Sequence, residues 1–403
     1  MGIKTQISKI HYDKNAKGFL FSILKFCSLF YALGSGLKNK LYDSGKLKPK
    51  KVDAFVISVG NLTTGGVGKT PVVAQIANYL VEKGEKVAIV SRGYGSKLTS
   101  RGLIRSPRPL WQILFLASPA SRRREGVGLP TERAFFNVSG SPRKLEKRGE
   151  GYQNSPIGIN LISDGSEIFF DANMAGDEPL WLAENTKAVV ITSKSRFKGA
   201  EFAISKFCAT KIILDDGFQH RKLHRDLDIV LIDSEMGFGN ENLLPAGPLR
   251  EGLEAFNRID KLVVVSKNTD HTRAEKYAKI MGKKLKKETF VCYSEPDYIY
   301  NILHPEEHLA KGEKILAFSA IGQPRQFYQF LSDYNVVKTI DFDDHHNYNK
   351  ADVEKLQQLC MDSDVKTLVT TEKDAAKLVN LGFFLKVFAL KLKTNLDVEK
   401  LLK

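Results

Sequence analysis

Cysteine is scarce in this 403-residue chain, with four thiols at Cys27, Cys208, Cys292 and Cys360. None forms a CxxC pair or joins a histidine cluster, which excludes a disulfide framework and a zinc ribbon and leaves isolated thiols in a reducing compartment. Long apolar runs are equally rare. The exception, Gly18 to Leu37, carries Lys25 as its one charge and is flanked by Lys9, Lys14, Lys17, Lys38 and Lys40. No small-residue cleavage site follows it cleanly, which argues against a secretory signal. Its length suits a bilayer span. Phe19, Ile23, Phe26, Phe30 and Leu33 also fit one face of a helix lying in an anionic lipid interface, and a buried hairpin helix is the bland alternative.

Acidic residues are too few to balance the basic ones, and the net charge is +15. The excess is local. Residues 1–51 carry +9 and residues 101–156 carry +7, so the remainder sums to −1. A nearly neutral body argues against a nucleic-acid-reading face, for which basic and stacking aromatic residues would be expected together on the folded part.

What is present is the pattern of an open α/β protein. Ala54–Val59 reads as a buried strand, followed by a glycine-rich turn, helical periodicity from Thr70 to Lys83 and a second strand at Val87–Ser91. This is a βαβ unit, the nucleus of a parallel sheet. Further strands are expected at 188–192, 212–214, 229–232 and 262–266, giving a P-loop NTPase-like, doubly wound, mostly parallel sheet. A second, smaller α/β domain is expected over 267–403, with strands near 290–293, 315–319, 368–371 and 387–390 and helices near 323–333 and 351–362. The expected organisation is therefore an N-terminal membrane-associated helical arm (1–50), a nucleotide-binding catalytic domain (51–266) and the smaller domain. Residues 101–156, rich in Pro, Gly, Ser and Arg, interrupt the first pattern and read as a disordered insertion or a lipid- or RNA-contacting patch.

The chemistry concentrates in the turn Gly60–Thr70, GNLTTGGVGKT. Backbone N–H groups of Gly65 to Thr70, at a helix N-terminus, would cradle phosphate oxygens. Lys69 would reach the β- and γ-phosphates, and the Thr70 hydroxyl would ligate Mg²⁺. Thr63 stands where the general P-loop pattern has glycine. Asp215 and Asp216 close a buried strand in DDGFQH, at the sheet edge where ligands gather, and one of them suits a Walker-B metal acid. Gly176-Asp177-Glu178-Pro179 and Asp343-Asp344-His345-His346 lie on turns, where an N-cap or surface role is the bland reading.

Seven blocks in order, GNLTTGGVGKTP, SRGYG (91–95), AGDEP (175–179), DDGFQH (215–220), LPAGPLRE (244–251), DDHHNY (343–348) and TEKDAAK (371–377), resemble the tetraacyldisaccharide 4′-kinases of lipid A synthesis. The resemblance implies transfer of the ATP γ-phosphoryl group to the 4′-hydroxyl of a tetraacylated glucosamine disaccharide 1-phosphate, yielding lipid IVA at the cytoplasmic face of the bacterial inner membrane. It implies ATP and Mg²⁺ as cofactors, a glycolipid and the membrane surface as partners, and no nucleic acid. Asp177 is similar to the family's catalytic acid and is paired with His345 rather than His346. Lys69 and Arg250 are implied at the transferring phosphate. Thr63, Thr64, Gly65, Gly66, Val67, Gly68, Lys69, Thr70, Asp216, Gln219 and His220 are implied at the nucleotide, and Thr70 and Asp215 at the metal. Arg250, Arg196 and Glu251 rank below the others. The insertion separates SRGYG from AGDEP, so Ser91 and Arg92 receive no firm role. A membrane-docked P-loop ATPase switch acting on a protein partner is the competing reading, although it has no use for AGDEP or DDHHNY.

Overall fold

The computed structural model describes residues 3–93, 135–136, 142–143, 158–170, 172–267, 271–322, 324–343, 346–379 and 381–403. Most of the expected insertion lies outside these residues, as do Asp344 and His345.

Twelve strands form one sheet: β1 (Phe55–Asn61), β2 (Val87–Ser91), β3 (Ile159–Ser163), β4 (Val189–Ser193), β5 (Lys211–Asp215), β6 (Leu227–Asp233), β7 (Lys261–Ser266), β8 (Glu288–Asn301), β9 (Lys314–Ser319), β10 (Asn335–Asp341), β11 (Thr367–Thr371) and β12 (Lys386–Asn395). Their spatial order is β10-β9-β11-β12-β8-β7-β6-β1-β5-β2-β4-β3. The principal helices are α1 (Ile3–Tyr12), α2 (Phe19–Asp43), α3 (Lys69–Glu82), α4 (Asp177–Asn185), α5 (Arg196–Phe207), α6 (Thr272–Leu285), α7 (Lys350–Asp362) and α8 (Glu372–Leu378).

Central strands are apolar on both faces because each face carries helices. In β1, Ile57 and Val59 join the cluster under α3 and α4, whereas Val56 joins the cluster under α5. In β2 the same alternation sends Ile89 to one layer and Ala88 and Val90 to the other. On the side of the sheet beyond β1, α6 covers Val230, Ile232, Leu262 and Val264.

β1 runs parallel to β5 on one side and β6 on the other. This register brings Asn61, Asp215 and Asp233 to the same edge of the sheet, with Ser91, Ser193 and Ser266 closing the neighbouring parallel strands.

The expected boundary near residue 266 falls within a continuous sheet. The first half of β8 pairs in parallel with β7. From Tyr293 to Asn301 it pairs antiparallel with β12, with a register shift between Pro296 and Ile299. One long strand thus serves both halves of the molecule. One strand, β3, escaped the sequence reading, and β10 is the strand-like stretch that precedes Asp343. β3 is a short edge strand antiparallel to β4, and β10 is an edge strand whose side chains are mostly exposed, so it lacks a buried-strand pattern. The helix expected over 323–333 is shorter, spanning Pro324–Gln329.

Gly60 belongs to this packing rather than to a phosphate loop. A Cβ there would stand 2.6 Å from Phe218 Cβ and 3.0 Å from the Phe218 backbone nitrogen, and Phe218 is fully buried. Backbone cannot step aside cheaply, so Gly60→Ala should cost about 1–3 kcal/mol by overpacking. The expected readout is a lower urea midpoint with an unchanged slope.

Candidate active site

The turn after β1 is built by two left-handed glycines and a borrowed loop. Gly65 has φ 116° and Gly68 φ 90°, a region that favours glycine, and Gly68 delivers the chain into α3 as its N-cap. Arg250 N donates to the Leu62 carbonyl and Thr64 N to the Pro248 carbonyl, both at 2.8 Å. Thr63 forms a bridge with Leu249 and is buried. The LPAGPLRE block is therefore a wall of the P-loop.

Charge converges at this wall. Lys69 Nζ donates to Asn61 Oδ1 at 3.1 Å and lies 3.4 Å from Asp216. Arg250 Nη1 reaches both Asp216 oxygens, at 2.7 and 2.9 Å. Burial pushes the Asp216 carboxyl up, but Lys69 and Arg250 outweigh it and hold the group below its ordinary value. Asp215 next door behaves oppositely. Burial, reinforced by Glu178, raises it to about 7 despite Lys69. Adjacent carboxylates thus have opposite protonation tendencies, set by whether a cation faces them.

Gln219 Nε2 donates to the Asn61 carbonyl at 2.9 Å, which ties DDGFQH to the end of β1. Arg196, buried at the start of α5, donates to the carbonyls of Ser193 and Asp215, each at 3.3 Å. It braces the Asp215 backbone. Glu251 is buried and ion-paired to Arg258, with Asn39 Nδ2 donating to it at 3.2 Å.

Asp177 opens α4 in its first turn, after Gly176. Its carboxylate is 3.1 Å from Lys377 Nζ on α8, a contact across the two halves of the molecule. His345 lies outside the described residues. Its neighbour His346 bonds through Nε2 to Asp352 at 2.9 Å and stacks on Phe342, so its ring serves the fold of that loop.

A model of the tetraacyldisaccharide-1-P 4′-kinase family matches residues 20–109 and 149–403 of the chain. The chain belongs to that family. Relatives described as tetraacyldisaccharide 4′-kinase include one from Halothermothrix orenii, 33% identical over 384 residues, or 89% of this chain and 82% of that one. Another, from Desulfotalea psychrophila, is 31% identical and covers 95% of each chain. Among solved structures, LpxK from Aquifex aeolicus in complex with ATP superposes with a TM-score of 0.64 at 30% identity, covering 95% of this chain and 97% of that one. The family match skips residues 110–148, within the basic segment that interrupts the sheet pattern. Membership in a 4′-kinase family leaves the ATPase-switch reading without support.

As a tetraacyldisaccharide-1-P 4′-kinase family member the chain invites a test for Mg²⁺. Among the described residues no group of three or more His, Cys, Asp and Glu side chains is gathered as a cage. Mg²⁺ does not need one, since it is usually held by one or two carboxylates plus substrate phosphates. Asp215, buried and raised toward neutrality, is a carboxylate that a divalent cation would stabilise in its charged form. The donor set of Thr70 hydroxyl and Asp215 carboxylate fits.

Four contributors were missed by reading the sequence. Asn61 holds Lys69 from inside the first motif, where only a tertiary view shows it. Lys267 Nζ donates to the Gly66 carbonyl and pairs with Asp233 at 2.9 Å. Tyr12 donates to the Thr64 carbonyl at 3.1 Å from a helix placed in the membrane arm. Lys377 carried a signal in TEKDAAK, but no partner for it was legible.

His220 gives a pH test. Burial, helped by Arg196 and Lys38, lowers it from 6.5 to about 4. Above pH 6.5 the folded and unfolded forms are both neutral. Between 6.5 and about 4 the unfolded chain takes up a proton that the folded one refuses, so stability falls as pH falls. His220→Gln should flatten that stretch of the profile, measured as the difference in Tm between pH 7 and pH 5.

Proposed function

We propose that this protein transfers the γ-phosphoryl group of ATP to the 4′-hydroxyl of a tetraacylated disaccharide 1-phosphate, producing lipid IVA. The observation that carries this reading is the wiring of the family's separate blocks into one site. LPAGPLRE supplies a wall and Arg250 to the P-loop, and TEKDAAK reaches the Asp177 of AGDEP.

In this reading Lys69 and Arg250 neutralise phosphate oxygens, and the N–H groups from Gly65 to Thr70 hold the β-phosphate end against α3. Thr70 and Asp215 hold Mg²⁺, which when bound offsets phosphate charge and aligns the transfer. Gln219 and His220 line the nucleotide side. A sugar hydroxyl does not ionise at neutral pH, so Asp177, acting with His345, takes its proton as the oxygen attacks the γ-phosphorus. Phosphoryl transfer asks for little else than alignment and charge neutralisation.

The arm places the site at a lipid surface. α2 is long and apolar enough to cross a membrane by composition, with a mean hydropathy of 1.5. Yet one stripe of it is committed to the protein. Leu24 and Ser28 are buried, Ser28 donates to the Leu243 carbonyl, Tyr31 to the Arg250 carbonyl and Lys38 to the Gln219 carbonyl, all within 3.0 Å. The other face exposes Phe19, Ile23, Phe26, Phe30, Leu33 and Leu37. A helix bound along its length in this way supports an interfacial seat at the cytoplasmic leaflet rather than a free span.

Three measurements test the reading. Incubating the purified protein with labelled ATP, Mg²⁺ and detergent-dispersed disaccharide 1-phosphate should yield labelled glycolipid, and a folded preparation giving none would overturn the activity. Asp177→Ala should lower kcat by about 10²–10⁴-fold with ATP affinity nearly unchanged; an equal loss of ATP affinity would reassign the residue. Phe30→Ser with Leu33→Ser alters only exposed positions and should weaken partition onto anionic vesicles by about tenfold or more, with Tm unaffected.

A further inference from the structure

Lys377 is nearly buried, its side chain 10% exposed, and a lysine so placed is normally paired. Its ammonium has two acceptors that belong to different parts of the molecule. One is the Asp177 carboxylate at 3.1 Å, on the helix that opens beside the P-loop. The other is the His346 backbone carbonyl at 3.3 Å, in the loop that carries the adjacent histidines.

Each of the three pieces is independently fixed. α8 is rooted at its start, where Thr371 caps Asp374 N and the Asp374 carboxylate accepts from Ala320 N at 2.9 Å and Thr371 Oγ1 at 2.8 Å. The histidine loop is held by the His346–Asp352 bond, and a capping box at Asn349 begins α7. α4 is anchored by Leu180 and Leu182 in the core of the nucleotide half. The ammonium of Lys377 is therefore a junction between rigid elements, and α8 also packs directly against α4.

We propose that Lys377 is a positioning residue for phosphoryl transfer: by binding one oxygen of Asp177 and the His346 carbonyl together, it fixes the orientation of the acid against the histidine loop. The inference rests on the assignment of Asp177 as the base. A carboxylate on a single short stem rotates freely about its last bond, and its second oxygen points usefully only if the first is held. Holding it narrows the orientations open to the acid, and misalignment of about an ångström can cost roughly 10²-fold in rate. A cation at this distance does not make the carboxylate a stronger base, so the gain is orientation. An arginine can make the same two contacts, whereas an apolar chain of equal length cannot.

The test uses the full chain in detergent with ATP, Mg²⁺ and the disaccharide 1-phosphate. Lys377→Met should lower kcat by about 10–100-fold while KM for ATP moves by less than about twofold. Lys377→Arg should restore most of the loss. In an Asp177→Asn background, Lys377→Met should have almost no further effect, because the residue acts through Asp177. If Lys377→Met loses the ATP-induced rise in Tm that marks a folded site, Lys377→Gln carries the same comparisons. A raised KM with unchanged kcat, or an undiminished loss in the Asp177→Asn background, would overturn the proposal. Should Asp177→Asn itself leave kcat intact, the base assignment falls and this inference with it. An inactive Asp177→Asn beside a fully active Lys377→Met removes the role of Lys377 alone.

Discussion

Two cations share one carboxylate at the centre of this molecule. Lys69 from the P-loop and Arg250 from the LPAGPLRE block both face Asp216 at the end of β5, and the rest of the site is arranged around that triangle. The three residues come from separate stretches of sequence, so their meeting depends on the parallel register that seats β1 between β5 and β6. Removing the shared anion would leave two partly buried positive charges facing each other. The same triangle prepares the site for a polyanion. Both cations are already gathered, so a polyanion that replaced Asp216 as their partner would cost little further side-chain entropy.

Much of this was legible in the sequence, for physical reasons that also explain the omissions. β1, the glycine-rich turn and α3 announce themselves because a buried strand, a left-handed turn and an amphipathic helix each leave a local pattern. Asp215 and Asp216 could be placed at the ligand edge because the strand before them is uniformly apolar. Their opposite tendencies could not be read, since they depend on which residue faces a cation, and that is decided by Arg250 34 positions away. Gly60 looked like a displaced phosphate glycine and proved to be space left for Phe218. β10 left only a weak strand-like signal before Asp343, since an exposed edge strand has no apolar alternation to report. The basic segment betrayed itself by composition alone.

The arm shows how an element can be recognised for one face and misjudged for the other. Its apolar positions point to lipid, and those side chains are exposed. Ser28, Tyr31, Lys38 and Asn39 received no role from the sequence. In the fold they form the inner stripe, at a spacing of three, seven and one residues that fits one side of a helix. Ser28, Tyr31 and Lys38 donate to backbone carbonyls of the segments that wall the nucleotide site, and Asn39 donates to the Glu251 carboxylate.

That choice of acceptors matters for function. A hydrogen bond to a backbone carbonyl fixes the path of the chain whatever side chain occupies the position, so the arm helps to set the course of the loop that carries Arg250 and, through Tyr12, of the P-loop at Thr64. The helix with the exposed apolar face is therefore tied to the loop that walls the P-loop. Together, the shared Asp216, the arm's bonds to the loop carbonyls and the Lys377 contacts tie the P-loop, the arm and Asp177 to one another over short distances, in a chain whose second half reaches the first along the same sheet.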